Sequence, residues 1–209
     1  MLGLFKMKLC IRTAVAGVMF VAGCSAASGE PVGNASAIKP AVTQSAPQGS
    51  RTDLRLRDPI IRNAELVTAE RGALEVTFLD GSRLSMGQNS RLTVDKFVYA
   101  GPRGAGEQSL RYTKGLFRFV SGSIPKDKVK IETPSVTIGI RGTIFRSAVN
   151  DDQSGAVSVE YGPNGETYEV FITSKATGKV VTLHSGQKIG FDSNGVFEGI
   201  VDGQVEGCN

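Results

Sequence analysis

The sequence has no tryptophan, a single histidine and three cysteines, and aromatic residues fill only 7% of its 209 positions. With His184 as the sole imidazole, multi-histidine metal sites are excluded and at most one histidine base remains. Ser185 follows it directly and on a strand would point to the opposite side, while no serine sits in a nucleophile elbow. Three cysteines give neither a disulfide framework nor a C-x-x-C pair. Net charge is also scarce. The chain carries 24 Lys+Arg against 20 Asp+Glu, and without Lys6, Lys8 and Arg12 of the leading segment the balance is 21 against 20. Nucleic acid, which needs a clustered basic excess, is therefore not an expected partner. Long apolar runs are missing as well. The run from Thr13 to Ala22 is about ten residues, half of what a spanning helix needs but enough for the core of an export signal.

What is present begins at the end of that run. Val21-Ala22-Gly23-Cys24 resembles the lipobox of bacterial lipoproteins, in which the chain is cut before the cysteine and its thiol is acylated. The resemblance implies a signal peptide over residues 1–23, lipidation at Cys24 and a membrane anchor through the N-terminal lipid. Ser25 is the residue type that, in that family, accompanies the periplasmic side of the outer membrane. The alternative is ordinary signal cleavage near Ser25-Ala26-Ala27, giving a soluble periplasmic or secreted protein, in which a Cys24–Cys208 bridge becomes feasible. Residues 24–50 read as Gly, Pro, Ala, Ser, Asn and Gln with few aliphatics, a composition expected to form a flexible linker.

From residue 51 to 209 the pattern has period two, enough chain for a single core. Leu74, Val76 and Phe78 alternate with polar neighbours, and Asp80-Gly81 turns the chain into Leu84 and Met86, a strong hairpin signal. Similar runs recur at Leu92-Val94, Leu110-Tyr112, Phe117-Phe119, Val129-Ile131, Phe145-Val149, Val157-Tyr161, Tyr168-Ile172, Val181-Leu183 and Ile189-Phe191. No window of about eleven residues keeps a helical period, although Ile60 to Glu70 could hold one helical turn. The 26 glycines fall mostly between these runs. The expected fold is all-β, a sandwich or β-roll of many short strands, behind a disordered N-terminal tether.

Two stretches carry a second resemblance. Gly72 to Gly87, continuing through Asn89-Ser90-Arg91-Leu92, and Lys130 to Phe145, with Thr133-Pro134, Gly139 and Arg141-Gly142-Thr143-Ile144-Phe145, resemble the FecR-type extracytoplasmic domain. The resemblance covers a core of about 65–150. In its best-understood form that family is an inner-membrane sensor with a cytoplasmic segment that regulates a sigma factor. Only 12 residues precede the apolar run here, so a cytoplasmic regulatory segment is not expected, and direct sigma-factor regulation is not the leading reading.

The motif residues have structural explanations. Pro134 favours extended backbone at Thr133 and a strand start. Gly139 and Gly142 bracket Ile140-Arg141, which fits a bulge or a corner between sheets. The Arg141 fork is expected to pin that corner through backbone carbonyls or a carboxylate, with a ligand contact as the alternative. Asn150 to Gly155 is oxygen-rich but lacks the EF-hand spacing and reads as a solvated hairpin loop. Gly101 to Gly106 lacks the features of a phosphate loop and reads as a connection. Cys208 lies one residue from the end with no base beside it. No catalytic residue, cofactor or metal site is expected.

Lys128 to Glu132 alternates charge and suits a protected edge or a solvent-facing side. Phe171 falls on the outer face of its strand, because Val170 and Ile172 take the inner one, and it is a candidate interaction surface. The leading expectation is a non-enzymatic protein-binding or scaffolding module of the cell envelope with an envelope protein partner. A sensory module relaying a signal to a partner regulator is the alternative. Polysaccharide binding ranks third, since stacking platforms are few.

Overall fold

The computed structural model of the chain describes residues 29–47, 49, 51–101 and 105–207. Among them nearly all of the regular secondary structure is strand, most of it short. The first part holds β1 (Pro31–Lys39), β2 (Val42–Ser45), β3 (Arg51–Asp53), β4 (Pro59–Ile61), β5 (Glu65–Thr68), β6 (Ala73–Phe78), β7 (Arg83–Met86) and β8 (Arg91–Tyr99). Then come β9 (Gly106–Val120), β10 (Val129–Glu132), β11 (Val136–Arg141), β12 (Ile144–Val149) and β13 (Gly155–Val159). The last four are β14 (Glu169–Ser174), β15 (Val180–His184), β16 (Gln187–Phe191) and β17 (Val201–Asp202).

These strands form two open sheets. Sheet I has the order β4-β1-β6-β7-β9-β12-β13-β16-β17, and sheet II has β3-β2-β5-β8-β9-β10-β11-β14-β15. All pairs are antiparallel except β9–β10. The 15-residue β9 belongs to both: its residues up to Lys114 pair with β8, and those from Gly115 onward pair with β12. Gly115 has φ +114, and a Cβ there would collide with Ser90, so only glycine fits where the strand changes sheet.

The all-β expectation holds, and the core follows from the alternation. Leu74, Val76, Phe78, Leu84, Met86, Phe117, Phe119, Phe145 and Val157 line sheet I; Leu92, Val94, Leu110, Tyr112, Ile131, Ile138, Val170, Ile172 and Leu183 line sheet II. Phe78 of sheet I stacks on Phe97 of sheet II at 5.5 Å between centroids, and Tyr112 stacks on Phe117 at 4.0 Å across the bend in β9. Each such side chain contributes roughly 1.5–3 kcal/mol on burial.

Two expectations need correction. The linker read over 24–50 is occupied by strands from Pro31 to Ser45, and the β domain therefore starts before residue 51. Of the few aliphatics there Val32 and Val42 are buried and Ile38 is half-buried against the core, and main-chain pairing with β6 and β5 supplies what the side chains lack. The helical turn considered for Ile60 to Glu70 is replaced by β4 and β5, because Ile60, Ile61 and Leu66 each find a core position. Of the two roles expected for the charged run Lys128 to Glu132, the structure has the solvent-facing side rather than the protected edge: β10 lies between β9 and β11, with its charges on the outer face. Cys10, Cys24, Arg103 and Cys208 lie outside the described residues, so the lipidation and bridge expectations do too. Among the described residues no helix is long and apolar enough to cross a membrane.

Candidate functional site

The motif residues separate into a buried group and an exposed one. Asp80, in the turn between β6 and β7, is buried, and its Oδ1 accepts hydrogen bonds from the Ser82 N–H at 3.0 Å and hydroxyl at 2.6 Å. Its carbonyl accepts the Ser123 N–H at 2.9 Å, so the turn holds the segment that leaves β9. A Cβ on Gly122 would collide with Asp80 and Ser82, which shows how tightly the two segments abut. Lys126 donates to the Gly122 carbonyl; burial lowers its pKa, and the Asp80 charge partly offsets this. Gly81 has φ +80, as the turn requires.

Thr133 and Pro134 form the tight link between β10 and β11. The Thr133 N–H donates to the Val136 carbonyl at 2.9 Å, the Val136 N–H donates back to Thr133 Oγ1 at 3.0 Å, and Lys175 Nζ donates to the Thr133 carbonyl at 2.6 Å. At the next motif the chain passes from sheet II to sheet I between Arg141 and Ile144, the expected corner. Gly142 has φ +62 there, whereas Gly139 lies in the regular register of β11, opposite Lys130 and Phe171, with no bulge. Thr143 is buried and its N–H donates to Ser121 Oγ at 3.2 Å. Phe145 is fully buried against Phe119.

Arg141 meets a carboxylate at that corner only loosely. Its side chain is 77% exposed, and its one ion pair among the described residues is to Glu169 at 3.8 Å. The alternation of β11 places Ile138 and Ile140 in the core and turns Arg141 outward. Across β14 and β15 it shares a row with Glu169 and His184, whose Nδ1 is 3.6 Å from the same carboxylate. The next row holds Gly139, Phe171 and Thr182. Phe171 is half-buried on the outer face and Gly139 puts no side chain beside it, so the ring stands over a flat spot. Thr137, Thr173 and Val180 continue the uncharged patch, and Val180 is 56% exposed.

The outer face of sheet I is different. Arg118 and Arg146 face each other across β9 and β12 and both reach Glu160. Arg118 grips the carboxylate with two bonds of 2.9 Å, and Arg146 Nε adds one of 2.5 Å. Burial disfavours the charged carboxylate, but the two guanidinium groups outweigh it, and the pKa of Glu160 falls below its ordinary value. The C-terminal segment crosses the same face: the Val205 N–H donates to Ser158 Oγ at 2.8 Å, and Gln204 Nε2 donates to the Val159 carbonyl at 3.0 Å. Beside this strap a shallow groove of about 540 Å³ is lined by Ala148, Ala156, Gly190, Lys188, Asp192 and Glu198 among others.

Sequence reasoning singled out Arg141, Phe171 and His184, and the fold brings them to one face. It missed Glu169, Glu160 with its two arginines, and the strap. Arg118 and Arg146 carried a signal, since each is a basic residue on the outer phase of a strand whose inner phase is aromatic. The Asn150 to Gly155 segment is the β12–β13 hairpin loop, closed on itself by the Ser154 N–H donating to Asp152 at 3.0 Å. Among the described residues no group of three or more His, Cys, Asp or Glu could hold a metal ion.

Comparison with known proteins gives a match to one family model over part of the chain and a likeness of fold. Residues 64–163 match the family model described as FecR protein. Two crystal structures of a "putative anti-sigma factor" from Parabacteroides distasonis ATCC 8503, at 2.50 and 1.65 Å resolution, superimpose with a TM-score of 0.51 at 16% identity. The match covers 67% of this chain and 60% of that one, a likeness of fold. No curated protein matches the sequence.

Proposed function

From the premise that residues 64–163 constitute a FecR-type domain, we propose that the chain is a non-enzymatic protein-binding or scaffolding module of the bacterial cell envelope. The observation that carries this reading is the division among the motif residues. Asp80, Thr133, Thr143 and Phe145 are buried in turns, corners and core, whereas Arg141 faces solvent beside Glu169, His184 and Phe171. An exposed guanidinium next to an aromatic ring over a flat sheet is a composition suited to protein contact. The family resemblance supports a role in envelope signalling, and the partner is an envelope protein. Cys24 acylation would hold the module at the periplasmic side of the outer membrane, with release as a soluble protein if the thiol is not acylated. Two or three acyl chains, at about 0.8 kcal/mol per buried CH₂, suffice for stable anchoring.

A photo-crosslinking residue at position 171 tests the binding reading in living cells. A discrete protein adduct from the envelope fraction is expected, absent when the same group is placed at Glu75 on sheet I. Absence of any adduct together with retention on polysaccharide would sink the reading. Phe171→Ser should leave the fold intact and weaken the captured contact. Cys24→Ala or globomycin should change processing and membrane fractionation; unaltered behaviour would remove the lipid anchor. A second reading, a sensory relay to a partner regulator, draws on the fold shared with the Parabacteroides distasonis protein. It gains if the adduct is itself a regulator or a receptor.

A further inference from the structure

The four sheet margins among the described residues are closed in different ways. In sheet I, β4 is three residues long and opens with Pro59, which has no N–H to offer a neighbour. At the other margin β17 already lies along β16, with Val201 opposite Lys188 and Asp202 opposite Gln187. In sheet II, β3 is Arg51-Thr52-Asp53, short, fully exposed and charged at both ends, a protected edge. The fourth margin is β15, five residues with β14 as its sole partner strand among those described.

Its unpaired side can be identified. The Ser174 N–H donates to the Lys179 carbonyl at 2.9 Å and the Ser185 N–H to the Tyr168 carbonyl at 3.2 Å, so Lys179 and Ser185 face β14. Antiparallel alternation then turns the main-chain groups of Val180, Thr182 and His184 away from it. The His184 N–H is taken by Gln187 Oε1 at 2.9 Å. Val180 and Thr182 keep both donor and acceptor on the open side, and the exposed Val180 side chain offers apolar contact beside them.

We propose that this margin receives an extended segment of a partner protein, β-branched in its middle and acidic at its flanks, as an added strand of sheet II. The proposal rests on the protein-binding reading above and names the kind of partner. Charge at the two ends selects it. Lys179 is exposed and has no ion pair among the described residues, and at the other end Arg141 and the exposed His184 stand beside the single carboxylate of Glu169. Lys175 is already committed to Glu132 and to the Thr133 carbonyl. Side chains of the added strand would extend the uncharged patch of Phe171 and Thr182. The chain's own C-terminal segment supplies the precedent, since its Val201-Asp202 adds to β16 in the same manner.

The test is site-resolved amide exchange on the full mature chain in detergent, with the peptide Glu-Val-Thr-Val-Thr-Val-Glu as probe. Exchange at Val180 and Thr182 should slow by about tenfold or more, as for newly bonded amides. The same peptide with lysine at both ends should protect far less. Thr182→Pro, which removes an outward N–H and no bond to β14, should abolish the protection while leaving the melting temperature near that of the parent. If that variant does not fold, Val180→Pro makes the same cut. Equal protection by the lysine peptide, or protection that survives the proline variant, would overturn the proposal. So would slowing at these amides that grows with protein concentration alone, which would make a second copy the occupant. Should a crosslinker at position 171 capture a partner while these amides stay unchanged, strand addition fails and the protein-binding reading stands.

Discussion

Across sheet I the outer side chains of β9, β12 and β13 meet a second layer of ion pairs and C-terminal strap, whereas across sheet II the outer side chains of β11, β14 and β15 meet solvent. Both faces arise from the same alternation and carry arginines. On sheet I, Arg118 and Arg146 share one carboxylate at 2.5–2.9 Å and sit well covered. On sheet II, Arg141 reaches its carboxylate at 3.8 Å and is largely exposed. A covered pair holds the fold, because removing one partner strands the others away from water. An exposed pair costs little to separate, so its groups stay available to a partner.

That contrast can be broken experimentally, first at its strongest point. Glu160→Ala should lower unfolding free energy by about 2 kcal/mol, less than for a fully buried pair because solvent still reaches both arginines. Denaturant melts would show a lower midpoint; a shift as small as that of Arg141→Ala would erase the distinction between the faces. Val205→Asp should follow at about 1–2 kcal/mol, since it places a charge where the strap packs on Ser158. Its readout includes faster exchange along β16 and β17. The pH dependence sharpens the comparison further. Because the folded pKa of Glu160 is depressed, its stabilisation is present above the unfolded value of about 4.3 and is lost as pH falls through the folded value. Melts of Glu160→Gln between about pH 6 and 3 should therefore decline less steeply than those of the parent. Smallest is Arg141→Ala, within about 0.5 kcal/mol of the parent. A large loss would restore the corner-pinning role first expected of this arginine.

Much of the molecule was legible in the residues. The period-two runs gave the strands, Asp80-Gly81 gave its hairpin, and Gly142 marked the change of sheet. The strands within 31–45 were not legible, because a segment rich in Ala, Ser, Asn and Gln shows no hydrophobic pattern. Its pairing to β6 and β5 rests on main-chain groups that every residue carries. The strap was hidden for a similar reason: Gln204 and Val205 gain meaning only once Ser158 and Val159 lie beneath them. Arg141 shows the limit of reading a motif. Adjacent glycines suggested a fork held by carbonyls or a carboxylate at the corner, but the phase of β11, set by Ile138 and Ile140, decides which way the side chain leaves the sheet. The same phase logic placed Phe171 outside correctly, because its flanking aliphatics fix the inner face.

The strand β9 has a further consequence for how the protein comes apart. A layer that shares one of its members with the opposite layer cannot peel away alone, since each half of β9 is clamped between neighbours that the other half does not touch. Opening either sheet pulls on the single segment that runs through Gly115, so the two should lose structure in one cooperative step rather than as separate foldons. The amides of Leu110, Tyr112, Phe117 and Phe119 should then exchange only through global opening and be the last to take up deuterium. Those of β15, at the far margin, should exchange through local fraying long before. A load applied at that margin by a bound partner would thus be borne at the centre of the molecule, by a strand that yields only when everything does.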